Sequence, residues 1–339
     1  MSGQNNNLIY SIAIFLAFLI SLIVISLFKK IYYFFRYKKR FYIIPRTSIK
    51  GIANISMIIA ISIAIIILLT IATADIFNVI FRTWPGTRVT IESVLIKIGG
   101  LLFGPFLGVF IGAMTDLLTV ALTAGVFHYG YLVAAMAYGL ISGFVSEIFI
   151  SSKKRIWWKA ILSSGVLMFC ILIVSLFFML PSNNFTQIFE FSIFNFNISI
   201  DPKILISIID GFIFLGVLII WVIFIIDIEK RKKINKFETE EKETKLIKLY
   251  DWHSSIMIVL VISIVTDSLI NLLIMPSFDA ELSTIKYSEW VLLRSIIFIP
   301  EVIFNCLIMV PIYKIVHPII NYNYKDDLLE DIKYPVFIE

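Results

Sequence analysis

A handful of ionisable side chains stand inside long apolar stretches: Glu92, Lys97, Asp116, Asp210, Asp267, Arg294 and Glu301. An ionised group in lipid costs several kcal/mol unless it faces a cavity or a partner, so such residues are where chemistry is first sought. Lys97 and Asp116 lie on neighbouring segments joined by Gly104-Pro105, a turn signal, so they can meet as an internal ion pair or face a ligand. Arg88 and Arg294 stand near the same end of their segments and can clamp a carboxylate, because a guanidinium fork matches carboxylate geometry. Arg88 and Glu92 are one helical turn apart, where both can also snorkel to the membrane surface.

Other chemistry is not encoded. No G-x-x-x-x-G-K-[ST] loop exists to cradle a nucleotide, so ATP hydrolysis is not expected of this chain. His128, His253 and His317 are far apart in sequence, and Cys170 and Cys306 sit in apolar runs. Neither a metal site, a cofactor nor a disulfide framework is expected, and no catalytic residue is assigned. Binding or moving something fits these residues better than catalysis.

The elements that must position these groups follow from composition. The chain has 339 residues, 59% of them hydrophobic and only 16% charged. A soluble domain has roughly 45–50% apolar and about 25% charged residues. The excess excludes an ordinary cytosolic enzyme, a disordered chain and a disulfide-stapled secreted domain, and it implies burial in a lipid bilayer; no nucleic-acid partner is expected. Apolar runs at 8–28, 52–74, 90–104, 106–124, 131–150, 158–181, 204–226, 255–275 and 289–315 predict about nine membrane helices. The run 90–104 is short and carries Lys97.

Positive charge sets orientation. The segment 29–50 carries Lys29, Lys30, Arg36, Lys38, Lys39, Arg40, Arg46 and Lys50 with no acid. Lys153, Lys154, Arg155 and Lys159 follow another run, and Lys230 to Lys233 open the mixed-charge segment 227–254. These three stretches fall on one side of a nine-span chain. The expectation is a multi-pass cell-membrane protein with its N-terminus outside and its C-terminus cytoplasmic, its first span a retained anchor. Small residues four apart, Ala60/Ala64 and Gly108/Gly112, form faces that let helices approach, either internally or against a membrane partner.

The run from Arg88 through Ser93, Gly100-Leu-Leu-Phe-Gly104-Pro105, Gly108 and Gly112 to Asp116 resembles the substrate-binding S components of energy-coupling factor (ECF) vitamin transporters, closest to the folate type. Gly125 to Gly143 is similar to that family's glycine-aromatic loop and following helix. Ser268 to Asn271, and Arg294 followed by Pro311, resemble its last two helices. The resemblance implies an all-α polytopic membrane protein with a six-helix S-component-like core at 51–150 and 255–339. To that core are added an anchor and basic segment at 1–50, and an inserted helix pair with a charged linker at 151–254.

It also implies an importer subunit for folate or a related vitamin, working with a transmembrane coupling subunit and two ATPase subunits. The coupling subunit would dock on Ala60, Ala64, Gly108 and Gly112. The implied substrate contacts are Arg88, Arg294, Ser93 and Asn271, with aromatic faces from Trp84, Phe127, Tyr129 and Tyr131. Glu92 and Lys97 stand where the family has small or apolar residues, and would select a different polar ligand, so thiamine, riboflavin or an unassigned nutrient are alternatives. A reading from another class also stands: a membrane scaffold or sensor built on the same core that does not transport.

Overall fold

The computed structural model describes residues 49–72, 85–123, 127–151, 156–179, 189–193, 196–234, 255–283 and 285–328, with isolated positions between 16 and 31. Its helices are α1 (Ile49–Ala72), α2 (Pro85–Phe103), α3 (Pro105–Thr123), α4 (Tyr129–Ser151), α5 (Ile156–Met179), α6 (Pro202–Ile234), α7 (Ser255–Leu282) and α8 (Tyr287–Leu328). A short antiparallel hairpin, β1 (Phe189–Ile193) and β2 (Phe196–Ile200), lies between α5 and α6 and pairs Phe189 with Ile200. Among the described residues, six helices are long and apolar enough to cross a membrane: α3 to α8. The chain is an all-α multi-pass membrane protein. The expected span at 8–28 lies outside the described residues apart from isolated positions.

The chain divides into two compact units, Met1–Gly143 with Ile315–Glu339, and Phe144–Lys314. In the first, α2 ends and α3 begins at Gly104, whose φ of 87° is the left-handed conformation that glycine adopts without steric cost. Pro105 then starts α3, where its missing N–H is no loss. Ile55 and Ile59 of α1 pack on Leu107 and Ile111 of α3, while Leu132, Val133 and Met136 of α4 pack on Val109 and Ala113. These contacts exist because α4 comes very close to α3. A Cβ added at Gly108 would overlap the Gly139 carbonyl, and one added at Gly112 would overlap the Ala135 carbonyl. Such small-residue contacts bring backbones together where lipid supplies no hydrophobic drive between helices.

In the second unit α5 and α6 form a helix pair, tied by Ser175 Oγ donating to Asp210 Oδ2 at 2.6 Å. The helix α7 is not uniform. Residues Asp267–Ile274 are π-helical, and the Met275 N–H donates to the Ile270 carbonyl, five residues back. Single turns of this kind are rare within α-helices and concentrate at functional sites.

Candidate functional site

Three helices of the first unit surround a small polar cavity lined by Glu92, Ser93 and Ile96 of α2, Asp116 of α3, and Tyr131, Ala135 and Tyr138 of α4. The local reason is helix register. Glu92, Ser93 and Ile96 fall within about one turn, so they share a face. Gly100 on that helix lies against Gly139 and Ser142, which draws α2 onto α4. Ser142 returns its own hydroxyl to the Tyr138 carbonyl at 2.7 Å. Glu92, Ser93 and Asp116 are buried, and the space among them is about that of one water molecule.

Lys97 is fully buried, with its Nζ 5.1 Å from the centre of the Tyr138 ring. A cation over an aromatic face is attracted by the ring quadrupole, more strongly once desolvated. The cavity thus sets two carboxylates, a hydroxyl and two tyrosines beside a buried ammonium. It can take a water molecule, a small ion or the polar tip of a ligand.

The structure distributes the sequence-derived candidates unevenly. It brings together Glu92, Ser93 and Tyr131, with Lys97 against Tyr138. Phe127 and Tyr129 are exposed and meet each other edge to face at 5.2 Å. Trp84 and the side chain of Arg88 lie outside what is described. Asn271 and Arg294 belong to the second unit and have partners there. Arg294 Nε donates to Asp279 Oδ2 at 2.6 Å, and Asn271 donates to Asp267 and Glu301.

Ala60 and Ala64 are exposed, but Gly108 and Gly112 are buried under α4. The expected docking role of these two glycines is therefore corrected: the space their missing side chains leave is filled from within the same unit. Sequence reasoning had Asp116 among the intramembrane charges but not in the site, and Tyr138 was missed. The signal for Tyr138 was a lone aromatic in the small-residue stretch from Ala134 to Gly143.

Comparison with known proteins gives two findings. Residues 86–194 match the family described as 5TMR of 5TMR-LYT, the five-transmembrane receptor of LytS-type sensor histidine kinases. That segment is under half of the chain. It holds the whole cavity lining. The chain is also 28% identical to the Mycoplasma pneumoniae protein named "Uncharacterized protein MG098 homolog", over 88% of this chain and 67% of that one. No solved structure matches.

The family match overturns the resemblance to ECF S components. The run from Arg88 to Asp116, which carried that resemblance, lies inside the segment that matches a sensor receptor. Its spaced glycines and Gly-Pro turn are explained by close packing of α2, α3 and α4, a need that any tight helical hairpin in lipid shares. The vitamin substrate, the coupling subunit and the ATPase partners were implied by that resemblance alone, and they go with it.

Proposed function

We propose that this chain is a membrane-embedded sensor module that neither transports nor catalyses a reaction. Its input acts on the buried polar groups among α2, α3 and α4, and the helices pass the change to an output protein. The observation that carries this reading is that the segment similar to the five-transmembrane receptor, residues 86–194, contains every residue lining the polar cavity. The small size of the cavity supports an ion or a small polar molecule over a vitamin, since sites for drug-sized ligands run to roughly 300–1,000 Å³. The basic stretches at 29–50, 153–159 and 230–233 support an N-terminus outside and a C-terminus in the cytoplasm.

The test uses the full chain, purified in mild detergent and reconstituted into liposomes. Native mass spectrometry identifies any retained small molecule, and a panel of small amines, amino acids and inorganic ions is screened by thermal unfolding. A ligand found either way should bind saturably without accumulating inside the vesicles. Asp116→Asn and Glu92→Gln should weaken its binding tenfold or more. Accumulation inside the vesicles would overturn the sensor reading. Equal binding by both variants and the wild type would overturn the site.

A further inference from the structure

A second polar cluster lies in the other unit, at mid-span. Asp267 and Asn271 stand four residues apart on α7, and Glu301 and Asn305 stand four apart on α8. The spacing puts each acid and its amide on one helix face. The two pairs interlock: Asn271 Nδ2 donates to Glu301 Oε1 at 2.7 Å and to Asp267 Oδ1 at 3.0 Å. Asn305 Nδ2 donates to Asp267 Oδ2 at 2.6 Å. The Thr266 hydroxyl reaches Asp267 Oδ1 at 3.4 Å. Asp267, Thr266 and Asn305 are fully buried, and Asn271 and Glu301 nearly so.

Three features of the cluster point to a ligand. One amide NH₂ serves both carboxylates, so their charges are held close together in a low-dielectric span, where mutual repulsion favours a bound positive charge. The Asn305 Oδ1 is buried with no hydrogen-bond partner, an acceptor oxygen beside the carboxylate that the same amide touches. Asp267 also opens the π-helical segment, where the backbone ladder shifts register.

The donors are carboxylate, amide and hydroxyl oxygens, which suit hard cations. No His or Cys stands among these donors, so the set does not suit a soft transition metal. We infer that Asp267, Glu301 and Asn305 hold one small hard cation, sodium or calcium in class, between α7 and α8 in the membrane interior.

The experiment uses the full chain in detergent at constant ionic strength, with choline chloride replaced stepwise by sodium, potassium, calcium or magnesium chloride. Thermal unfolding is followed together with binding of radiolabelled sodium and calcium. At least one small cation should raise the unfolding temperature saturably above the choline baseline and bind at one per chain. The sodium and calcium arms then tell which. Asp267→Asn should lower that affinity at least tenfold, as should Asn305→Ala, which keeps both carboxylates and so tests the site if the first variant folds poorly. If no small cation differs from choline, the inference fails. It fails equally if the cation effect persists undiminished in both variants.

Discussion

Arg294 and Asp279 form a buried ion pair, Nε to Oδ2 at 2.6 Å, that joins the end of α7 to the start of α8. Asp279 is fully buried and Arg294 nearly so, and the neighbouring Trp290 Nε1 donates to Ser283 Oγ at 2.7 Å. The short connection after Leu282 is thus pinned from both sides. An arginine that sequence reasoning assigned to a ligand carboxylate has a carboxylate of its own chain.

Removing one partner of such a pair leaves a charge buried. Arg294→Met should destabilise the protein by roughly 3–5 kcal/mol, and Asp279→Leu by a similar amount. The double variant should recover much of the loss, because neither charge then remains. Denaturant unfolding in detergent micelles reads all three. Additive losses in the double variant would show that the two side chains do not act as a pair.

Gly139 touches Gly108 backbone to backbone, so a side chain at either position separates α3 from α4. Gly108→Leu should prevent accumulation of monodisperse protein, while Ala60→Leu, on an exposed face, should be tolerated. Size-exclusion profiles of the two variants check this. A well-behaved Gly108→Leu protein would mean the helices are not packed as described.

The Lys97 Nζ lies over the Tyr138 ring, 5.1 Å from its centre. Tyr138→Phe keeps that face and should cost little. Tyr138→Leu should cost about 2 kcal/mol from the lost cation–π contact alone, with lost packing added. Thermal unfolding of the pair distinguishes them, and equal losses would move the role of Tyr138 to its hydroxyl.

Gly104 has φ 87°, a conformation that an L side chain adopts only with strain. Gly104→Ala should destabilise by roughly 1–3 kcal/mol while leaving Pro105 to start α3 as before. An unchanged unfolding temperature would indicate that the turn relaxes without it.

Much of the architecture was legible because lipid demands it. Long apolar runs had to be helices, and Gly104-Pro105 had to end one and begin the next, since only glycine takes that φ cheaply and proline suits a helix start. The hairpin of β1 and β2 was legible as well, although the aromatics drew the reading toward a surface loop: Phe189, Phe191 and Ile193 alternate with Glu190 and Ser192, and Phe196, Ile198 and Ile200 with Asn197 and Ser199, the period of two that a strand requires. The polar cavity was half legible. Glu92, Ser93 and Lys97 stand out as charges and hydroxyls in an apolar run, whereas Tyr138 looks like any core aromatic until α4 is docked on α2.

The sequence by itself determined a membrane protein, its helices and the residues that lipid would not accept alone. Apolar length and the cost of intramembrane charge are local properties, written in consecutive residues. The tertiary structure decided which of those charges meet. Asn271 reaches Glu301 across 30 positions, and Asn305 reaches Asp267 across 38. The recurring spacing of an acid and an asparagine four apart was present in both helices, but only their packing turned two separate faces into one cluster. Whether a buried charge pairs within its own fold, as Arg294 does, depends on the helix that packs beside it.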